Sequence, residues 1–584
     1  MEIVKTIARQ LGKYKREAII SPSLTAVEVI LDVLIPYVIA RLIDQGIEGR
    51  NMAAVWKYGG IMFGLGMLSL VFGVAAGRLA ATASTGFAAN LRAAMYRKIQ
   101  TYSFANIDKF STASLVTRMT TDVTNVQNAF QMIIRIATRA PVMLIMSVVM
   151  CVITSPSLST IFLVAMAVLV VGLSTIIAHA IKIFNQAFQK YDDLNSSVEE
   201  NVAAARVVKA YVREDYEKQK FARAAGALRA IFTQAQKWVA LNMPVMSTVT
   251  FGCIIALSWF GAKQVVGSQL STGDLTSMFT YVMQILMNLM MLSMIFVMLS
   301  MSAASARRIA AVLNEEPDIR NGADPVTHVD SGSIDYDHVS FYYQKGAGEA
   351  VLQDIDVHIR SGETVGVIGG TGSGKSTLVN LLSRLYDVQE GSVKIGGRDV
   401  REYDIETLRD SVSVVLQKNV LFSGTVMSNL RWGKADATEA ECREACRLAC
   451  ADEFVEKLPD GYESRVEQGG SNFSGGQKQR LCIARALLKH PRVLVLDDST
   501  SAVDTATDAK IRAAFRQVIP DTTKIIISQR IASVQDADRI LVLDGGRVSG
   551  FDSHENLLRT NEIYQEIYET QTKGGGDFDE PAAD

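Results

Sequence analysis

Charged residues are scarce in this chain, 21% of 584, beside 48% hydrophobic ones, and that excludes an ordinary soluble globular protein. A surplus of positive charge is missing too. Lys and Arg number 59 against 61 Asp and Glu and form no long run, so nucleic acid is not an expected partner. Cysteine is rare: six residues without a paired pattern exclude a disulfide framework and fit a reducing compartment around the soluble part. Three of them, Cys442, Cys446 and Cys450, recur at helical spacing. They form either a thiol face for a metal or, the favoured reading, small buried residues on an amphipathic helix. A secretory leader is also lacking, because the apolar run behind the first basic residues carries Glu28 and Asp32 and no small-residue cleavage site. With these classes removed, a membrane is the expected surrounding.

What is present is six apolar stretches, approximately 18–40, 59–77, 140–154, 157–180, 239–262 and 275–306. Most are long enough for a bilayer core of about 30 Å, and the third is short. Lys and Arg crowd the amino terminus, 92–118 and 182–237, whereas the turns at 44–57, 155–156 and 263–274 are brief. Positive-inside reasoning therefore puts both termini in the cytoplasm of a multi-pass protein of the cell (cytoplasmic) membrane. Residues 1–16 set Ile3, Ile7, Leu11 and Tyr14 on one helical face among five basic residues, as expected of a helix along the membrane surface. Between spans two and three, and again between four and five, the pattern stays helical but polar, so these helices should extend into the cytoplasm. Breaks near Phe110–Leu115 and Val212–Tyr216 are each either a short transverse helix touching a soluble domain or a plain turn.

The last helix runs out near Glu315-Glu316-Pro317, and the Gly322-Ala323-Asp324-Pro325 stretch marks a linker, 321–332, after a membrane domain of 1–320. A soluble α/β domain is expected over 333–573, with strands near 334–339, 351–359, 411–416, 493–496, 524–527 and 539–543, mostly parallel because helical patterns separate the later ones. A glycine-rich acidic tail, 574–584, is expected to be disordered. The fold class is a multidomain membrane protein: a six-helix transmembrane domain with long cytoplasmic extensions plus an α/β domain, which the Gly369-Gly370-Thr371-Gly372-Ser373-Gly374-Lys375-Ser376 motif makes a P-loop nucleotide-binding domain.

The chemistry concentrates in Gly369-Gly370-Thr371-Gly372-Ser373-Gly374-Lys375-Ser376-Thr377, set between a short apolar strand and the start of a helix. That context suits a phosphate loop for ATP: glycines turn backbone N–H groups inward, Lys375 reaches the terminal phosphates and Ser376 can ligate Mg²⁺. A second apolar strand, Val493 to Leu496, ends in Asp497, suited to holding Mg²⁺ through its water shell. Between them Ser474-Gly475-Gly476-Gln477 opens a helix, either as a second anion site or as a plain cap with flexible glycines.

In that order and spacing the chain resembles the ATP-binding cassette exporters in which six spans are fused to one nucleotide-binding domain. The resemblance implies a dimer, with ATP held between one chain's phosphate loop and the other's signature, here Phe473-Ser474-Gly475-Gly476-Gln477. It implies that Tyr343 stacks on adenine, that Gln417 lies near Mg²⁺ and the attacking water, that Ser501-Ala502-Val503-Asp504 crosses to the partner, and that the two cytoplasmic breaks are coupling helices.

Two positions depart from the family. Asp498 stands where Glu follows the strand carboxylate, and Gln529 where His is usual. A carboxylate shortened by one methylene retreats by about 1 Å, which can cost on the order of a hundredfold in rate, and Gln529 cannot carry a charge. Phe473 for Leu and the 466–470 loop depart as well, but the Ser-Gly-Gly-Gln remains. The pattern is similar to the degenerate-site half of a heterodimeric exporter of amphipathic or drug-like molecules, with a second six-span half-transporter bearing the working Glu and His. Alternatives are a homodimeric exporter, an ATP-binding regulatory subunit, or an importer on the same fold. For the substrate path, Glu28 and Asp32 either attract a cation or pair with Arg78, Arg135 or Arg139. The stripe Met283, Met287, Met290, Met294, Met298 and Met301 either lines an adaptable cavity or, as favoured, packs a helix.

Overall fold

The computed structural model describes residues 2–343, 350–498 and 503–573. They fall into two units, one drawn from Met1–Thr101 and Ser111–Glu315, the other from Tyr102–Phe110 and Glu316–Asp584.

The first unit is helical. Its long members are α1 (Lys15–Leu42), α2 (Met52–Gln100), α3 (Val123–Thr154), α4 (Pro156–Ala203), α5 (Glu214–Ala240), α6 (Asn242–Val266) and α7 (Thr272–Asn314). Among the described residues, five helical stretches are long and apolar enough to cross a membrane, namely Met52–Gln100, Thr112–Thr154, Pro156–Phe184, Glu214–Val266 and Thr272–Leu292. The sixth expected span is α1, a 28-residue helix that carries Glu28 and Asp32 at its middle and two prolines. The short third stretch is the end of the 32-residue α3, closed by Ser155 and by Pro156 at the first position of α4, where a missing N–H costs nothing. Val29, Val33, Met143, Met150, Leu158, Leu257 and Tyr281 belong to the unit's apolar core. The amino-terminal segment does not run as one helix to Arg16: Glu2–Ala8 is helical, and Gly12, at φ 51°, breaks the turn that follows. Its Tyr14 ring occupies the space left by Gly86 of α2, where a Cβ would lie 2.3 Å away.

The second unit holds two main sheets. One is antiparallel, in the order β2 (Leu352–Ile359), β1 (Ile334–Phe341), β4 (Glu390–Ile395), β5 (Arg398–Asp399). The other runs β12 (Arg547–Asp552), β11 (Arg539–Asp544), β3 (Thr364–Gly369), β10 (Thr523–Ile527), β9 (Val493–Asp497), β6 (Val412–Val415), and is parallel except for β12. A small pair, β7 (Gly424–Thr425) with β8 (Arg465–Val466), lies apart from both. Residues 493–496 of β9 and 525–527 of β10 are unbroken apolar runs because both faces of these strands are covered. Val493, Val495, Ile525 and Ile527 enter one core with α8 (Lys375–Leu382), while Leu494, Leu496 and Ile526 enter the other with α9 (Gly475–Leu487). Strands β4 and β12 escape the sequence pattern because their exposed faces are polar and they carry glycine.

Candidate functional site

Strand β3 ends at Gly369, and the loop to α8 turns through glycines that no other residue could replace without strain. Gly369, Gly372 and Gly374 have φ of 155°, 83° and 94°. A Cβ on Gly369 would stand 2.1 Å from the Leu543 carbonyl oxygen, and one on Gly374 2.6 Å from the Leu352 side chain. Lys375 Nζ donates to the carbonyl oxygens of Gly369 (2.9 Å) and Gly370 (2.7 Å), so the ammonium sits inside the loop. Burial lowers its pKa, against the pull of Asp497 and Asp498. Gly370, Thr371, Ser373 and Ser376 complete the loop and the first turn of α8.

The neighbouring strand ends supply the rest. Asp497 closes β9 opposite Ile527 of β10, and β10 is bonded on its other side to β3, so the positions after β9 and β10 emerge beside the phosphate loop. Burial raises the pKa of Asp497, with Ser376 acting against it. A hydroxyl paired with a carboxylate is a hard-oxygen donor set, which suits Mg²⁺. Asp498 adopts φ 45°, a region uncommon outside glycine but best tolerated by Asp and Asn. Burial raises its pKa as well, while Gln417 lowers it by donating Nε2 to Oδ2 at 3.4 Å. The Gln529 segment is clamped from a place the sequence did not reveal. Gln571, in the final helix α10 (Glu562–Lys573), accepts from the Ile531 N–H (2.8 Å) and donates to the Gln529 carbonyl (2.7 Å).

Tyr343 is half exposed, its hydroxyl 2.9 Å from Thr377 Oγ1 of α8, and its ring meets Phe341 and Tyr386 edge-on. Tyr386 in turn donates to Asp108 Oδ2 at 2.8 Å. Asp108 belongs to the short helix Phe104–Phe110, which is part of the second unit, so the first cytoplasmic break meets the soluble domain at 102–110, upstream of the expected 110–115. Punctuation misled the sequence reading: Ser111, at φ 53°, ends that helix and caps the next. The second break is a tight turn with Val212 at φ 53° between two helices.

Ser474 caps α9 in a reciprocal box, accepting from the Gln477 N–H at 3.3 Å while Gln477 Oε1 accepts from the Ser474 N–H at 2.9 Å. Ser474, Gly475 and Gly476 line a cavity of about 270 Å³ with Arg480, Val503 and Asp504. Asp504 also caps a helix, accepting from the Thr507 N–H at 2.9 Å, which lowers its pKa. Ser501 and Ala502 of that loop, and the tail from 574, lie outside the described residues. Arg480 stacks over Phe454, which packs against Phe473 of the signature.

Two open readings resolve, those of the paired acids and of the thiols. Arg139 bonds both Glu28 Oε1 and, at 2.7 Å, Asp32 Oδ2, and Ser69 donates to Asp32 at 2.6 Å, so of the three candidate partners the structure selects Arg139. Cys442 and Cys446 are buried, with the Cys446 thiol pushed up to about 12 by burial, in keeping with packing. Met283, Met287 and Met290 are exposed, and the side chains of Met294 and Met301 lie outside the described set.

Comparison with known proteins gives two family matches: the ABC transporter transmembrane region over residues 18–290, and the ABC transporter domain over 352–501. An uncharacterized ABC transporter ATP-binding protein of Mycobacterium tuberculosis (strain ATCC 25618 / H37Rv) is 36% identical over 98% of both chains. Another, YfiB of Bacillus subtilis (strain 168), is 35% identical over 96% of this chain and 97% of its own. A solved bacterial Atm1-family ABC exporter with ATP bound has the same fold, with a TM-score of 0.79 over 98% of this chain and 99% of that one, at 24% identity.

Proposed function

The chain belongs to the ABC transporters, with the transmembrane region and the ATP-binding domain fused, and from that premise we propose that it exports amphipathic or drug-like molecules as one half of a heterodimer. Family members bind ATP, couple its hydrolysis to transport, and work as membrane-embedded dimers. In this reading Tyr343 stacks on adenine, residues Gly369 to Thr377 cradle the phosphates, and Ser376, Asp497 and Gln417 hold Mg²⁺, which neutralises phosphate charge when bound. Ser474, Gly475, Gly476 and Gln477 close over the partner's ATP, and Asp504 serves the cross-dimer contact. The membrane is the cytoplasmic one, with both termini on the cytoplasmic side.

One observation carries the asymmetry. Asp498 and Gln529 leave adjacent parallel strands at the edge where the phosphate loop turns, so both replaced groups fall at one site, while the signature keeps its capped Ser-Gly-Gly-Gln. The site on this chain's own loop then binds ATP and turns it over slowly, and the fast site is the one completed by this chain's signature.

The test is ATPase activity of the purified chain alone and with a candidate partner, each beside Asp498→Glu with Gln529→His. The expected result is a chain nearly inactive alone and active as a pair, with the pair silenced by changing the partner's catalytic Glu. A vigorous homodimer that the double substitution barely alters overturns the reading.

A further inference from the structure

A cavity of about 520 Å³ opens along α3, lined by Asn128, Gln131, Met132, Arg135, Ile136 and Arg139, with Met291 of α7 completing it. The α3 positions recur every three or four residues, so they form one stripe of the helix. The volume is that of a small-molecule site.

Charge decides what suits it. Glu28 and Asp32, the acids that could draw a cation, do not line the cavity, and Arg139 stands before them with both carboxylates bonded to its guanidinium. Arg135, one helical turn earlier, is different. Its guanidinium lies against Gly77 of α2, with Nη1 3.2 Å from where a Cβ would stand, and among the described residues it has no ion-pair partner. An arginine beside the uncharged run 140–154 without a counter-ion is costly, and such residues face cavities and pathways. The rest of the lining is two amides, which hydrogen-bond polar groups, and the apolar Met132, Ile136 and Met291, of which the thioethers adapt to varied shapes.

We propose that this cavity binds an amphipathic anion, a carboxylate, sulfonate or phosphate on an apolar body, with Arg135 as the counter-ion. The inference rests on the reading of the chain as a transporter of amphipathic molecules and names the charge of its cargo. A guanidinium fork matches such an anion bidentately. A charged hydrogen bond of that kind is worth at least about tenfold in affinity.

The experiment uses the full chain in phosphatidylcholine nanodiscs and two matched photoactivatable probes, a dodecanoate and a dodecylamine, with labelling of residues 128–139 read by mass spectrometry. The dodecanoate should half-saturate at a concentration at least about tenfold lower than the amine. Arg135→Gln should erase that preference and Arg135→Lys should keep its direction at a smaller size, because the charge stays and the bidentate fork is lost, with nucleotide affinity unchanged in both. Equal labelling by the two probes, or a preference that survives Arg135→Gln, overturns the proposal. Adding phosphatidylglycerol separates the sources: competition assigns the anion to a lipid headgroup and its absence to a free amphiphile, and both support an anion site. Charge-blind labelling with ATP-driven probe movement intact in vesicles contradicts this inference alone. Charge-selective labelling without any such movement contradicts the transport reading alone.

Discussion

Lys375 carries a charge that its surroundings disfavour. Burial lowers its pKa, and only Asp497 and Asp498 oppose the shift. A triphosphate favours the ammonium form, so in the alkaline range ATP binding should take up a proton, and affinity should fall as pH rises through the lowered value. Calorimetry in buffers of different ionisation enthalpy, from about pH 8 to about pH 10, reads that uptake directly. Lys375→Met should abolish it, and an uptake unchanged in the variant would assign the proton to another group. At this scale the sequence was legible wherever spacing fixes local geometry, as in the glycine turn of the phosphate loop, the carboxylate of Asp497 at the end of β9, and the Ser474 cap, one of the two readings that segment allowed. It was silent where a partner arrives from far along the chain. Nothing near Gln571 announces that its amide clamps the backbone at Gln529 and Ile531, 42 and 40 residues earlier. Nor does periodicity distinguish Arg139 from Arg78 or Arg135 as the partner of Glu28, because that choice depends on how α1, α2 and α3 are rotated against one another.

Among the elements, the short helix Phe104–Phe110 shows how a sequence signal can mark the edge of a feature and miss its body. The Ser and Thr residues near 111–114 are strong turn formers, and Ser111 is the break. The contact is made by the preceding helix through Phe104, which meets Tyr386 edge-on, and through Asp108, which accepts from Tyr386. Asn106 anchors the same helix by donating to the Glu316 carbonyl at 3.2 Å. Tyr386 also packs on Tyr343, so one side chain touches both this helix and the ring beside the phosphate-loop helix. Tyr386→Phe keeps the ring contacts and removes only the hydroxyl, a loss of about 1 kcal/mol or less for a hydrogen bond open to water. Hydrogen exchange at 104–110 should therefore speed up, while ATP affinity stays within about twofold. Unchanged exchange there would mean that Asn106 and the rings hold the helix without the Tyr386–Asp108 bond. The strands show the same division: β9, β10 and β11 were readable because burial on both faces makes them apolar over 493–496, 525–527 and 540–543, whereas β4 and β12 were not.

For the whole molecule, the membrane domain has to place a helix with two acids at its centre in an apolar surrounding. Five described helical stretches are long and apolar enough to cross a membrane, and α1, which completes the six apolar stretches of the sequence, is the span that carries Glu28 and Asp32 at its middle. The resolution is a compensated charge: Arg139 of α3 meets Glu28 and Asp32 together, Ser69 of α2 satisfies the remaining Asp32 oxygen, and Gly73 of α2 leaves room for the Glu28 carboxylate, 3.1 Å from where a Cβ would stand. Three helices are thereby fixed in rotation by one polar cluster, a form of specificity that apolar packing between lipid-facing helices supplies poorly. Removing the shared cation alone should be the severe change, because it leaves two carboxylates without a counter-ion. Arg139→Leu is expected to destabilise the domain by about 3–5 kcal/mol, measured as a lowered unfolding temperature of the full chain in nanodiscs. Glu28→Gln with Asp32→Asn and Arg139→Leu together should recover most of the loss, since no charge is then left unpaired. If the triple variant is no better than Arg139→Leu, the cluster is needed for its particular hydrogen bonds, and charge balance does not explain how α1 enters the membrane.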